Sequence, residues 1–480
     1  MKDNPLARIT KNSIVGLLEK GIEISTGMIS IAILARYLDV AEFGLYTLIV
    51  TSAGMLIVLS SAGLDRVIVR DIAVNRESFR VYLQSIKGAG IVLACMSLSL
   101  IALISFPLKL NTVPALYALI VFVISEMIST YSMIFMSVFK AFEKMEFNTV
   151  ITLVAKAMSL ICLITAIYLK SGFVGIFFSI MVGNIAKLFV TLHIFRKYYC
   201  RNFIPVSFDQ SKKIVKDSLM IAASTFFTLA SIRMGIFMLK AFGTLEDVAY
   251  FQAANVLLVQ LQPISLVIVT ALYPVIASRK YGSDVMFENA AKIIFMLSLP
   301  LMAITFFYGN DFILLIYGNK YMNAVPAMKI LILSVGFTFL IHLFEIGLLT
   351  DYRQDLLTAG WGIAFLINIV LGIVVVPKYG IWGCAAVMSF SYMTLFIILY
   401  IFIYNYTIFK IKSVIFLKPA AAFLIMSLYL HLFSNNGNKP FNILFDTIHM
   451  LVSIALYMSI LFWIKALSIN DMKFIKIYSR

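Results

Sequence analysis

Charged residues are scarce in this sequence of 480 residues: Asp, Glu, Lys and Arg together make up 13%, against roughly 25% in soluble domains. Hydrophobic residues account for 62% of the chain, and the mean hydropathy is +0.98. No soluble fold buries so much apolar surface. Because lipid cannot hydrogen-bond to exposed backbone groups, the long apolar runs are predicted to be membrane-spanning helices.

Cysteine is also rare, and its spacing excludes two further classes of protein. The four cysteines, Cys95, Cys162, Cys200 and Cys384, are widely scattered. Neither a disulfide framework nor a zinc-binding motif has such spacing. We therefore expect no metal site and no cofactor. The basic N-terminus leads into an apolar run without a small-residue cleavage site, which predicts a retained first helix.

Long loops between the apolar runs are missing as well. Membrane glycosyltransferases and polymerases generally need a sizeable extramembrane segment to hold a catalytic site, and no loop offers the room. The sequence also contains no G-x-x-x-x-G-K-[ST] loop for ATP. We therefore predict a transporter with no catalytic residues rather than an enzyme or an ATP-driven pump.

Hydropathy and charge together predict the topology. Fourteen predicted spans start near residues 13, 43, 84, 113, 149, 172, 215, 249, 288, 324, 357, 380, 413 and 443. Of the 39 Lys and Arg residues, 27 fall on the N-terminal side of the membrane, 7 on the other side and 5 inside spans. The positive-inside rule then places both termini in the cytoplasm. Because the net charge of +16 lies in short loops beside spans, it indicates topology rather than nucleic-acid binding.

Two short segments recur at nearly equal distances along the chain. ARYLDVAEFGLY (35–46) matches KAFGTLEDVAYF (240–251) at an offset of 205 residues, and SGFVG (171–175) matches YGIWG (379–383) at 208. We therefore predict an internal repeat of six spans. Since six is even, both copies enter the membrane from the same side and form parallel repeats, an arrangement suited to two rocking lobes.

The predicted fold class is an all-α polytopic membrane protein with two parallel six-helix lobes and two extra helices. Its predicted parts are an N-lobe over 13–194, a basic cytoplasmic linker over 195–214, a C-lobe over 215–405 and the last two spans over 413–466.

Several segments resemble one family in order along the chain. In the first half these are LARYLDVAEFGLYTL (34–48) and GLDRVIVRDIA (63–73). In the second half they are KAFGTLEDVAYFQAANVL, ALYPVIA, LLIYGNKYMNAVPAMKIL and VPKYGIWGCAA. The chain thereby resembles the Wzx-type O-antigen and polysaccharide flippases of the multidrug/oligosaccharidyl-lipid/polysaccharide exporter superfamily. Asp39 departs from that pattern, where the family usually has Gly.

The resemblance implies a MATE-like fold and a location in the bacterial cytoplasmic (inner) membrane. It implies translocation of undecaprenyl-diphosphate-linked oligosaccharide repeat units to the outer leaflet by alternating access, as in lipopolysaccharide synthesis. The implied partners are the lipid-linked oligosaccharide, membrane lipids, H⁺ or Na⁺ as coupling ion, and the polysaccharide polymerase machinery. The alternatives are another exporter of the superfamily, for a peptidoglycan precursor or drugs, and a membrane glycosyltransferase or polymerase.

A charged side chain at the centre of a membrane-spanning helix costs about 2.5–3.5 kcal/mol on insertion scales, so it usually faces a water-filled cavity or a partner. The charged residues inside the spans are therefore the candidate site residues. A diphosphate favours a cationic cavity, for which the candidates are Lys156, Lys187 and Arg233. Structural ion pairing or snorkelling of a Lys is the competing explanation. Arg66 and Arg70, at the cytoplasmic exit of span 2, either bind the diphosphate headgroup or serve as ordinary positive-inside anchors.

Carboxylates inside the spans are the candidates for ion coupling. Glu126 lies in the middle of span 4, where it either exchanges a proton or sodium ion or forms a fixed pair with a cavity cation. Glu19 and Glu23 lie one helical turn apart on one face of span 1. Glu345 and His342, near the cytoplasmic end of span 10, form a weaker candidate pair, for which anchoring at the membrane interface is the favoured alternative.

Overall fold

The computed structural model describes residues 5–61, 113–199, 211–277, 283–433 and 443–466, together with isolated positions between 65 and 88. Over these residues the regular elements are all helices. The chain divides into two compact units, Met1–Lys240 and Ala241–Arg480. The predicted lobe boundary at the linker 195–214 stays a prediction.

The first unit contains six described helices. They are α1 Pro5–Tyr37, α2 Val40–Ser61, α3 Val113–Ala141, α4 Met145–Tyr168, α5 Gly172–Tyr198 and α6 Ser211–Phe242, whose last two residues belong to the second unit. α3, α4 and α5 pack against one another, α1 packs on α4, and α2 packs on α3. This packing forms the bundle that carries the candidate site.

The second unit begins with α7 Leu245–Ala277. It continues through α8 Ser283–Phe307, α9 Gly309–Tyr317, a 3₁₀ turn Asn319–Ala324, α10 Val325–Ile332, α11 Val335–Thr350, α12 Gln354–Tyr406, a 3₁₀ turn Ser413–Phe416, α13 Leu417–Phe433 and α14 Ile443–Trp463. α13 and α14 pack on each other and on α8. A buried cluster around Tyr308, Met426 and Tyr457 fills that contact.

Nine of the described helices are long and apolar enough to cross a membrane, and the pair 319–332 and 335–350, bent by 48°, makes a tenth. The longest, α12, is two helices joined at Gly380, where the backbone leaves the helical region. Thirteen of the fourteen predicted spans fall on described helices. The third, which starts near residue 84, lies mostly outside the described residues. The prediction of an all-α polytopic membrane protein is confirmed.

The repeat reappears as matching local structure. In the first copy the carboxylate of Glu42 accepts a hydrogen bond from the backbone N–H of Asp39, at 3.3 Å. In the second copy Asp247 accepts one from the N–H of Thr244, at 2.8 Å. Both pairs cap the start of a helix, and they occupy equivalent positions at the offset of 205 residues. The bond from the backbone N–H to the carboxylate is thus shared by both copies, and in the second copy the Thr244 hydroxyl also accepts from the N–H of Asp247 at 3.2 Å.

The second matching pair of segments shares an unusual backbone conformation. Gly172 has φ +69° and Gly380 has φ +54°, and these two glycines are equivalent at the offset of 208 residues. Only glycine adopts such angles without strain. Gly172 is the first residue of α5 and Gly380 is the break inside α12, so both glycines coincide with the predicted span starts at 172 and 380.

Replacing Gly380 with Ala should lower stability, because an alanine held at φ +54° and ψ −130° carries roughly 1–3 kcal/mol of strain. Thermal unfolding of the purified protein in detergent measures the change. Gly362→Ala is the matched control, since Gly362 is helical and its added Cβ would meet no atom within 4 Å. Equal unfolding temperatures for the two variants would contradict the assignment of Gly380 as a required break.

Candidate functional site

A polar cavity of about 280 Å³ lies inside the helix bundle of the first unit. Four of the intramembrane charges predicted from the sequence meet in it: Glu23 on α1, Glu126 on α3, Lys156 on α4 and Lys187 on α5. The remaining lining residues are Ser129, Thr152, Ala155, Ser159, Ile180, Gly183 and Asn184. Two carboxylates and two ammonium groups therefore share one cavity.

Helical spacing brings these side chains together. On α4 the lining positions are 152, 155, 156 and 159, and on α5 they are 180, 183, 184 and 187. Steps of three and four residues keep side chains on one face of a helix. Each helix thus presents a polar stripe ending in a lysine or serine, while apolar side chains such as Leu153 and Ile161 occupy other, exposed faces.

α4 and α5 approach closely beside the cavity because Gly183 has no side chain. A Cβ at this position would lie 2.8 Å from the carbonyl oxygen of Ala155 and 2.7 Å from the Cβ of Ser159. Both distances are shorter than real contacts allow. The glycine therefore lets the polar stripes of α4 and α5 face the same small space.

Asn184 organises the acidic side of the cavity. Its side-chain amide donates to the hydroxyl of Ser125 at 2.9 Å and to the backbone carbonyl of the same residue at 3.1 Å. It also donates to Oε1 of Glu126 at 3.4 Å. The Glu126 carboxyl group is thereby held in place by a neutral hydrogen-bond donor.

Lys187 is anchored separately from Glu126. Its Nζ donates to the hydroxyl of Ser129 at 3.0 Å. Within the described part of the chain, Glu126 has no Lys, Arg or His nitrogen within ion-pair distance, although the charges of Lys187 and Lys156 both attract it. The carboxyl group lies near cations without being locked into contact with one.

α1 adds the remaining carboxylates. Glu23 lines the cavity and forms an ion pair with Lys20, with 2.6 Å between Nζ and Oε2. Glu19 lies one turn earlier and accepts a hydrogen bond of 3.4 Å from Thr152 on α4. Thr149 also donates to the backbone carbonyl of Val15, at 3.2 Å. These contacts dock α1 against α4 at the acidic end of the cavity.

A second cavity of about 200 Å³ adjoins the first, because Lys156, Ser159 and Ile180 line both. Its other lining residues include the polar side chains Thr26, Ser30, Tyr46 and Ser179. The two cavities are thus neighbours within the first unit. The hydroxyls and the Asn184 amide that line the first cavity lie at helical spacing from the predicted charges, a signal that could have identified them from the sequence.

The other predicted site residues lie elsewhere. Arg233 is half-buried on α6 and is not a lining residue of these two cavities. Arg66 and Arg70 lie outside the described residues. In the second unit, Glu345 accepts a hydrogen bond of 2.8 Å from the indole of Trp361. His342 contacts the Ser265 hydroxyl at 2.6 Å. Glu345 and His342 thus bond to different helices.

Across the described residues, no group of three or more His, Cys, Asp and Glu side chains is arranged to hold a metal ion. The chemistry that the first unit offers is that of carboxylate, ammonium, amide and hydroxyl groups in a small polar space. Such a space can accept or release a proton, or contact an anionic group through its ammonium ions.

Comparison with known proteins assigns the family. The family described as polysaccharide biosynthesis protein matches residues 9–280, which is more than half of the chain. The chain belongs to the polysaccharide biosynthesis protein family. No curated protein shows significant sequence similarity to it.

Solved structures share the fold of this family member. The inward closed conformation of the lipid II flippase MurJ superposes with a TM-score of 0.75 at 16% identity, covering 94% of this chain and 97% of that one. An outward-facing MATE multidrug transporter of the MOP superfamily gives 0.57 at 15% identity, over 84% and 95%. A MOP superfamily transporter from Pyrococcus furiosus gives 0.59 at 14%, over 83% and 94%. The predicted MATE-like fold is therefore confirmed.

We predict that the first-unit cavity is filled with water. In a variant whose native cysteines are replaced by Ala, a cysteine at Ser159 should react with a charged, water-soluble methanethiosulfonate at least about tenfold faster than one at Leu153. Leu153 is the matched control, because it lies on the same helix, is 51% exposed and lines neither cavity, and we expect this apolar side chain to face lipid. Equal reaction rates would show that the cavity is dry.

Proposed function

We propose that this protein is a flippase that moves undecaprenyl-diphosphate-linked oligosaccharide repeat units from the cytoplasmic to the outer leaflet of the bacterial inner membrane by alternating access. The family match supports a role in polysaccharide synthesis. The fold supports a transport mechanism, since MurJ is described as a lipid II flippase and the MATE proteins as transporters. Both termini then lie in the cytoplasm, as the charge distribution predicts.

The observation that carries a coupled mechanism is the charged cavity of the first unit. Its volume of about 280 Å³ is slightly below the roughly 300–1,000 Å³ typical of sites for drug-sized ligands. An oligosaccharide repeat unit is larger than that. The cavity is instead suited to a coupling ion with a few water molecules.

Within this proposal, a proton is the favoured coupling ion. A sodium site built from oxygen ligands would exclude nearby ammonium groups, yet Lys156 and Lys187 line the same cavity as Glu126. Protonation of Glu126 removes the negative charge that attracts Lys187 and Lys156 across the cavity. Deprotonation restores the attraction, so the charge balance of the bundle changes by one unit with each proton. Such a change can favour one conformation over another.

Deleting the gene in its own host tests the substrate. The strain should lose surface polysaccharide and accumulate lipid-linked repeat units on the cytoplasmic face, as measured by mass spectrometry of extracted lipids. Complementation with the intact gene is the control. Normal surface polysaccharide in the deletion strain would overturn the proposal, and accumulation of peptidoglycan precursors instead would assign the protein to another branch of exporters.

Glu126→Gln tests the coupling. In membrane vesicles with an imposed pH gradient, the unmodified protein should translocate lipid-linked substrate severalfold faster than without the gradient. The glutamine variant cannot exchange a proton, so its rate should not respond to the gradient. Asp355→Asn is the control, since Asp355 is an exposed carboxylate in the first turn of α12, outside the cavity. An unchanged response in Glu126→Gln would mean that Glu126 does not carry the proton.

A further inference from the structure

The second unit contains a larger cavity, of about 570 Å³, that takes no part in the coupling described above. Its lining residues are Glu246, Asp247, Tyr250, Met322, Asn323, Pro326, Tyr379, Ile381 and Trp382. They come from the start of α7, the 3₁₀ turn and start of α10, and the break in α12. The turns before these segments all lie on the side that the charge distribution places outside the cell.

Two exposed aromatic rings line this cavity. Tyr379 is 65% exposed and Trp382 is 58% exposed. Tyr379 immediately precedes Gly380 and Trp382 follows it by two residues, and the positive φ of Gly380 interrupts α12 at this point. Tyr250 supplies a third ring, held edge to face by the buried Tyr321 with 6.1 Å between ring centroids.

Some polar groups of the cavity stabilise the fold, and others are free to contact a ligand. The carboxylate of Asp247 accepts hydrogen bonds from both the N–H and the hydroxyl of Thr244, at 2.8 and 2.9 Å, and so caps α7. Glu246 and Asn323 are exposed. The cavity thus offers a carboxylate and an amide beside the aromatic rings.

The internal repeat shows that the fold does not require these side chains. The first copy has other residues at the equivalent positions. Ala41 aligns with Glu246, Leu45 with Tyr250, Ser171 with Tyr379 and Val174 with Trp382. The carboxylate caps and the glycines of positive φ nevertheless occur in both copies. The aromatic and acidic residues are therefore an addition to one copy rather than a need of the helix packing.

We propose that this cavity is a binding site for the sugar portion of the transported lipid, on the outer side of the membrane; the proposal rests on the proposed flippase function. Sugar rings present C–H faces that pack on aromatic rings, and hydroxyl groups that hydrogen-bond to carboxylate and amide oxygens. Trp382 and Tyr379 supply the first kind of contact, and Glu246 and Asn323 the second. The volume of about 570 Å³ lies within the usual range for ligand sites.

Two other roles of aromatic and acidic side chains predict different binding behaviour. Trp and Tyr side chains also anchor helices at the membrane interface, and aromatic cages with carboxylates bind quaternary ammonium groups. An anchor would not bind free sugars. At a quaternary ammonium site, choline would compete with the oligosaccharide. A cavity of about 570 Å³ is, however, much larger than a quaternary ammonium headgroup needs.

The test is isothermal titration calorimetry on the full chain in lipid nanodiscs, with the oligosaccharide released by mild acid from the host's own surface polysaccharide as probe. The unmodified protein should bind it. Trp382→Leu should weaken binding by about tenfold or more, Glu246→Gln by severalfold, and Trp382→Phe should retain most of the affinity. Trp463→Leu is the matched control, since Trp463 is 85% exposed and lies outside the cavity.

The inference is overturned if the unmodified protein does not bind the oligosaccharide at millimolar concentration, if Trp382→Leu binds as well as Trp463→Leu, or if choline competes for the site. Should Trp382→Leu fail to fold, the Glu246→Gln and Trp382→Phe affinities decide. The gene-deletion phenotype tests the flippase function separately. A strain that loses surface polysaccharide while the cavity variants bind normally would reject only this site.

Discussion

The cost of placing polar groups in hydrocarbon governs most of this structure. A backbone amide without a hydrogen-bond partner costs several kcal/mol in lipid, so the apolar runs fold as helices. The same cost applies to ionised side chains, which need partners or water. In the first unit the bundle of α1, α3, α4 and α5 brings such side chains into one polar cavity, where Glu126, Lys156 and Lys187 compensate one another's charge.

The charged groups inside that cavity are arranged for exchange of a proton, as the proposed coupling requires, rather than as a fixed ion pair. Buried ion pairs in direct contact are strongly held, and breaking one leaves an uncompensated charge. Glu126 is instead oriented by the neutral amide of Asn184, while Lys187 is hydrogen-bonded to Ser129. Glu126 and Lys187 thus each have a neutral partner that remains when the charge of the neighbouring group changes. This arrangement is compatible with the proposed coupling, in which a proton enters or leaves Glu126 without breaking a direct ion pair.

Much of the fold follows from the sequence because hydropathy and charge bias act over whole helices. The predicted starts at 172 and 380 coincide with glycines of positive φ, and the repeat found in short strings is matched by equivalent caps. The short helices and the bend between 309 and 350 were not predicted, since a broken span has the same hydropathy as a continuous one.

The site was predictable only in part. Glu126, Lys156 and Lys187 were identified because charge in a span is conspicuous, whereas the neutral partners Asn184 and Ser129 could be recognised only by their helical spacing from those charges. Arg233, like Lys156, is a cation within a predicted span, yet it lies on α6 and does not line the two cavities of the first unit. The packing of neighbouring helices determines which face of a helix lines a cavity, and a single sequence does not specify that packing.

Reconstitution tests the central claim most directly. The purified protein is placed in liposomes that contain an undecaprenyl-diphosphate-linked oligosaccharide, and membrane-impermeant periodate then oxidises the sugars accessible from outside. If the protein is a flippase, periodate should oxidise all of the lipid-linked oligosaccharide in liposomes that contain the protein, and not only the fraction in the outer leaflet. Oxidation that stops at the outer-leaflet share, as in protein-free liposomes, would contradict it.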